Sequence, residues 1–157
     1  MLEEKLNREI EDRSNIKRKY RKFIKNMALA TAGAVAGGVI GAELTDVVTD
    51  SKAAISIGST AGQYILWFAV FLPMHAHDNI DLYREKETNK FKWKDYTKDM
   101  IKMNLGFAVL DYFYIIGRPA ANYYFQRKGY DPASASLFSD AICIPLYYMA
   151  AVPIAKV

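Results

Sequence analysis

Five ionisable residues stand inside stretches of the chain that are otherwise apolar: Glu43, Asp46, Asp111, Arg118 and Asp140. In hydrocarbon a charge costs at least about 2.5–3.5 kcal/mol, so such residues normally face a cavity or a partner. Their chemistry is ion pairing, proton exchange or the handling of a charged solute. Asp111 and Arg118 are seven apart, which puts them on one helix face, and Pro119 interrupts the hydrogen-bond ladder beside Arg118. Counted along their apolar stretches, Arg118 lies seven residues from one end and Asp140 six residues into the next. On antiparallel neighbours those depths coincide, and the two can pair. A carboxylate held between desolvation and a guanidinium is placed to gain and lose a proton. The alternative is a static salt bridge that fixes helix register.

Membrane spans must position these residues. Segments 27–48, 53–74, 103–125 and 134–157 are each close to the roughly 20 residues that cross a hydrocarbon core of about 30 Å. A soluble four-helix bundle would carry a polar stripe at every turn. Here residues 28–42 hold no charge in fifteen positions and 64–74 none in eleven. The expected fold class is all-α, a polytopic membrane protein with four transmembrane helices. With an offset of 76, Lys94, Tyr96, Lys98 and Met103 fall on Arg18, Tyr20, Lys22 and Met27; with an offset of 80, Ser136, Ser139, Leu146 and Pro153 fall on Ser56, Ser59, Leu66 and Pro73. A duplicated unit of roughly 75 residues makes two tandem helical-hairpin repeats that face the same way. They cover 27–75 and 103–157, joined by a loop at 76–102.

Charge placement orients them. Of 21 Lys and Arg, nine lie in residues 1–26, seven in 76–102 and one at Lys156, against Lys52, Arg127 and Lys128 in the opposite turns at 49–52 and 126–132. This bias predicts a multi-pass protein of the inner or plasma membrane with both termini and the long loop cytoplasmic. The net charge of +4 is then topological, and the basic run at 17–22 reads as a flank meeting anionic lipid rather than nucleic acid. Residues 1–26 form a charged leader in which Leu2, Leu6 and Ile10 are spaced by four, as in an interfacial amphipathic helix. The apolar stretch behind it exceeds the roughly 7–15-residue core of a signal peptide, so it stays as a span.

Gly33, Gly37 and Gly41 recur every four residues and form a ridge where another backbone can approach. That backbone belongs either to another span of this chain or to a second copy in a homo-oligomer. Tyr112, Tyr114, Tyr123, Tyr124, Tyr147 and Tyr148 are expected to be mostly interfacial-belt or packing residues. His75 and His77 are two apart, on different helix faces, and no Ser/His/Asp order, phosphate loop or metal cluster emerges. No enzyme activity, metal or cofactor is expected. Cys143 is alone, which excludes an intrachain disulfide.

The four-span layout, Trp93-Lys94-Asp95 with Asp99 leading into the third span, Glu43 near the end of the first, Ser59-Thr60 in the second and Pro73 followed by Asp78 resemble the small bacterial inner-membrane L-alanine exporters. The similarity spans roughly residues 20–157 and matches Asp99, six residues after Trp93, to that family's aspartate. It implies a single four-helix chain that exports alanine at the expense of the proton gradient. The chain departs from the family in its charged leader, in ending without a basic tail and in carrying Arg118 within a span. Together these readings predict a small secondary transporter, a proton-coupled exporter of a small amino acid such as L-alanine. Its substrate and proton pathway would run through Glu43, Asp99, Asp111, Arg118 and Asp140. A passive channel and a non-catalytic membrane assembly module are the alternatives.

Overall fold

The computed structural model describes residues 2–154 apart from Lys86, and the side chains between residues 17 and 151 apart from Lys19 and Lys86. Helices follow one another as α1 (Leu2–Asp46), α2 (Lys52–Asp78), the single turn α3 (Ile80–Tyr83), α4 (Trp93–Arg127) and α5 (Pro132–Ile154). Among the described residues, strand-like pairing is confined to an isolated bridge between Arg84 and Phe91 in the loop.

Local chemistry explains where the helices stop. The Ser51 hydroxyl accepts from the Ala54 amide at 3.4 Å and caps α2. At the end of α4, Gly129 takes a φ of 93°. Its amide donates to the Gln126 carbonyl and that of Tyr130 to the Phe125 carbonyl, the paired bonds of a glycine-terminated helix. Asp131 then accepts from the Ser134 amide at 2.9 Å and Pro132 opens α5, where a missing amide hydrogen costs nothing. Both turns, at 47–51 and 128–131, lie within two residues of the expected 49–52 and 126–132.

Within the 76–102 segment, α2 runs on to Asp78 and α4 begins at Trp93, so the connection between these two helices is 79–92. Polar residues past the apolar segments stay helical because each backbone amide still finds the carbonyl four residues back. α1 likewise continues without a break from the leader into the first apolar stretch. The expectation of a leader lying on the membrane surface rests on side chains that lie outside the described residues.

Tyr20–Asp46, Lys52–Asp78 and Trp93–Arg127 are long and apolar enough to cross a membrane. Polarity is distributed inside out. Ser59, Arg118, Asn122 and Ser136 are wholly buried, whereas Leu44, Ile65, Leu105, Val109 and Met149 are exposed. Water would penalise such a girdle of apolar side chains, and lipid would not. α1 packs on α2 and α5, α4 packs on the same two, and α1 and α4 face each other across the diagonal.

The glycine ridge is used within the chain. A Cβ on Gly37 would strike the backbone of Gly62, and one on Gly41 that of Gly58. Two glycine faces thus bring α1 and α2 into backbone contact. The α4–α5 hairpin is joined differently, through Phe125 and Tyr130 against Phe138 and Tyr114 against Tyr147.

Candidate functional site

Arg118 is the largest wholly buried side chain among the described residues, and all four long helices meet around it. α4 delivers the guanidinium; its Nε donates to Asp140 Oδ1 of α5 at 2.8 Å, and Nη2 donates to Asp140 Oδ2 at 3.3 Å and Ser136 Oγ at 2.9 Å. Nη1 donates to Ser59 Oγ at 2.9 Å and Thr60 Oγ1 at 3.1 Å, both from α2. Ser59 Oγ in turn donates to the Gly38 carbonyl of α1 at 2.7 Å. A Cβ on Gly38 would meet the guanidinium, so only glycine leaves it room. All five guanidinium N–H groups therefore have acceptors, which a charge in so dry a place requires.

A second polar layer lies nearer the short turns. Gln126 donates to Asn122 Oδ1 at 2.6 Å and Ser56 Oγ at 3.1 Å, and Lys52 Nζ donates to the Gln126 carbonyl at 3.0 Å. Together the two layers plug the turn end of the bundle.

Toward the loop end the interior opens into a cavity of about 710 Å³, its open mouth included. Asp111 lines it two helical turns from Arg118, together with Gln63, Tyr64, Trp67, Tyr114 and Tyr147. Tyr147 donates to Asp111 Oδ1 at 2.9 Å, and Gln63 Nε2 donates to the Tyr114 oxygen at 2.6 Å. Gln63 Oε1 and the Tyr64 hydroxyl are buried without a partner.

An aromatic floor closes the loop end. Tyr96 packs edge-on against Tyr83 and Phe91, both tyrosines lie tilted against His75, which stacks on Phe71, and the Tyr96 hydroxyl donates to the Leu72 carbonyl at 2.8 Å. Lys25 Nζ lies 3.2 Å from Asp78 Oδ2, and Lys22 Nζ donates to the Asp78 carbonyl. Tyr83 donates to Asp99 Oδ2 at 3.3 Å. Burial, reinforced by the Asp99 charge, pushes the Tyr83 phenol up to about 12.

Of the residues singled out from sequence, the structure brings together Arg118 and Asp140 and sets Asp111 below them. Asp99 is exposed on the floor, about 18 Å along α4 from Asp111 at 1.5 Å per residue. Glu43 and Asp46 are exposed at the turn end of α1 and join neither layer. Tyr112 and Tyr124 are exposed as a belt requires, but Tyr114, Tyr147 and Tyr148 line the cavity. Sequence reasoning missed Gln63 and Asn122; their signal was the spacing of Asp111, Tyr114, Arg118 and Asn122 on one face of α4, matched by Ser56, Ser59, Thr60 and Gln63 on α2. No family model, curated protein or solved structure matches the chain. The resemblance to alanine exporters thus rests on the residues quoted for it.

Proposed function

We propose that the chain is a four-span membrane protein that moves a small molecule through the central cavity in exchange for protons, as a small secondary transporter. The carrying observation is a carboxylate, Asp111, in a cavity with the Arg118 polar plug on one side and an aromatic floor on the other. Alternating access needs a site between two closures, and α5, with 23 residues, is long enough to complete a fourth span at about 34 Å. In this reading Asp111 carries the proton, Arg118 and Asp140 hold the plug, and Asp99 with Tyr83 borders the loop-side approach. The tandem hairpins would rock about the glycine-packed α1–α2 pair.

The resemblance implies L-alanine as cargo. Asp111 suits its ammonium group; its carboxylate would meet a cation only if Arg118 released Asp140. The fully engaged Arg118 guanidinium also favours a second reading, a membrane module that transports nothing and uses the pair as a fixed register lock.

Flux of labelled L-alanine and of small amines in reconstituted vesicles, with and without an imposed pH gradient, tests the proposal. Gradient-driven flux should vanish in Asp111→Asn, whose amide cannot cycle a proton, while the protein folds and substrate exchange persists. Flux that ignores the gradient would instead favour a channel. Absence of flux for every solute would favour the module.

A further inference from the structure

The lining of the cavity carries one charge sign. Of the described side chains around it, Asp111 is the acidic one, none is Lys, Arg or His, and Tyr64, Trp67, Phe71, Phe107, Tyr114 and Tyr147 supply ring faces. The nearest guanidinium, Arg118, is turned away, with its N–H groups already held by Asp140, Ser59, Thr60 and Ser136. A carboxylate entering here would find no unengaged cation, while facing Asp111 and the negative faces of the rings. A cation would find the reverse: a carboxylate for its charge, aromatic faces for its flanks and free acceptors for its hydrogens. Gln63, 4% exposed, lines the cavity with its Oε1 unpartnered, and the Tyr64 hydroxyl is likewise unpartnered. Buried polar atoms without partners are uncommon; a ligand N–H satisfies the Gln63 oxygen and can also be accepted by the Tyr64 hydroxyl, which donates as well as accepts.

We infer that the cavity is a binding site for a lipophilic organic ammonium ion, with Asp111 as counter-ion, Gln63 and Tyr64 as acceptors and the Trp67–Tyr114–Tyr147 wall as its aromatic cage. This names the substrate class of the proposed transporter and rests on that reading for the movement of the ligand, though not for its binding. An amine with an apolar body fits better than an amino acid, because the carboxylate of an amino acid has no partner while the plug is closed.

The full-length protein in nanodiscs is titrated with 2-phenylethylammonium and, in parallel, with phenylacetate, an anion of nearly the same size. Binding is read by calorimetry and by the fluorescence of Trp67 in a Trp93→Phe background. The expected result is saturable binding of the ammonium, no binding of phenylacetate, and an affinity lower by about thirtyfold or more in Asp111→Asn. Equal binding of the two ions, or no ammonium binding up to about 10 mM, overturns the assignment on the unmodified site alone. An Asp111→Asn protein that melts like the parent and binds the ammonium equally well overturns it too. Binding as expected without flux in vesicles upholds the site and sinks the transporter. Gradient-driven alanine flux without ammonium binding does the opposite.

Discussion

Arg118 shows how a single side chain sets the terms for its surroundings. Because its five N–H groups are divided among Asp140, Ser59, Thr60 and Ser136, a substitution leaves several buried groups unpaired at once. Arg118→Ala or Asp140→Ala should each destabilise by about 3–5 kcal/mol. The double variant should recover only part, since Ser59, Thr60 and Ser136 still face the gap; thermal melts in detergent give the cycle, and strictly additive losses would count against coupling. Arg118→Lys is no refuge, because three ammonium hydrogens cannot serve the five directions. Tyr83 makes a separate prediction at the floor. Its phenol titrates at about 12 against an ordinary 10.0, so the folded state favours the neutral form. That stability is complete below pH 10 and is lost as the pH rises toward 12. Tyr83→Phe lacks the titration, and the melting gap between parent and variant should narrow from pH 8 to pH 12; a constant gap would mean that Tyr83 ionises freely. The pairing of Arg118 with Asp140 was legible from depth alone, because helix ends that moved outward by two residues moved on both partners. The cavity tyrosines were not. A tyrosine within an apolar stretch carries the same local signal whether its ring meets lipid headgroups or a cavity, and only helix rotation separates Tyr114 from Tyr112.

At the scale of elements, the two hairpins use different means to stay together. α1 and α2 touch through Gly37 and Gly62 and through Gly41 and Gly58, where even a methyl group collides with backbone. Gly106 and Gly117 of α4 have nothing within 4 Å of a built Cβ. Opposite signs are therefore expected for one chemical change. Gly37→Ala should lower the melting temperature and Gly37→Ile should abolish folding in detergent. Gly117→Ala, free of contacts, should stabilise by the helix-propensity difference of about 1 kcal/mol. Should both alanine variants shift the melt the same way, backbone contact is not what distinguishes them. The sequence offset of 76 aligns Gly117 with Gly41, yet one is packed and the other bare, so alignment of residue types does not carry packing with it. The ridge was readable as a small-residue surface, but its partner was not, since glycines at 58 and 62 announce their role only once α2 is rotated toward α1.

At the scale of the whole molecule, the interior polarity and the exposed apolar girdle constrain the environment, and the basic residues constrain the direction. Nine Lys and Arg in 1–26 and seven in 76–102 lie at the loop end, against Lys52, Arg127 and Lys128 at the turn end. Moving the loop end across a bilayer would carry those charges with it, so the loop end should be cytoplasmic and the plug should face outward. The continuity of α1 through residue 26 makes an insertion there a poor reporter. Single cysteines avoid the difficulty: in a Cys143→Ala background, Asp50→Cys and Lys128→Cys sit in the two short turns, and Glu87→Cys in the loop. A membrane-impermeant maleimide added to intact cells should label the first two and spare the third, which becomes reactive after lysis. The three positions decide more than orientation. Asp50 and Glu87 flank α2, and Glu87 and Lys128 flank α4, so each helix is tested for crossing separately. Labelling of Glu87→Cys and Lys128→Cys from the same side would remove α4 as a span and with it the interior cavity through which transport is proposed. Labelling of Glu87→Cys alone from outside would keep α2 and α4 as spans, invert the molecule and place the aromatic floor, rather than the Arg118 plug, toward the exterior.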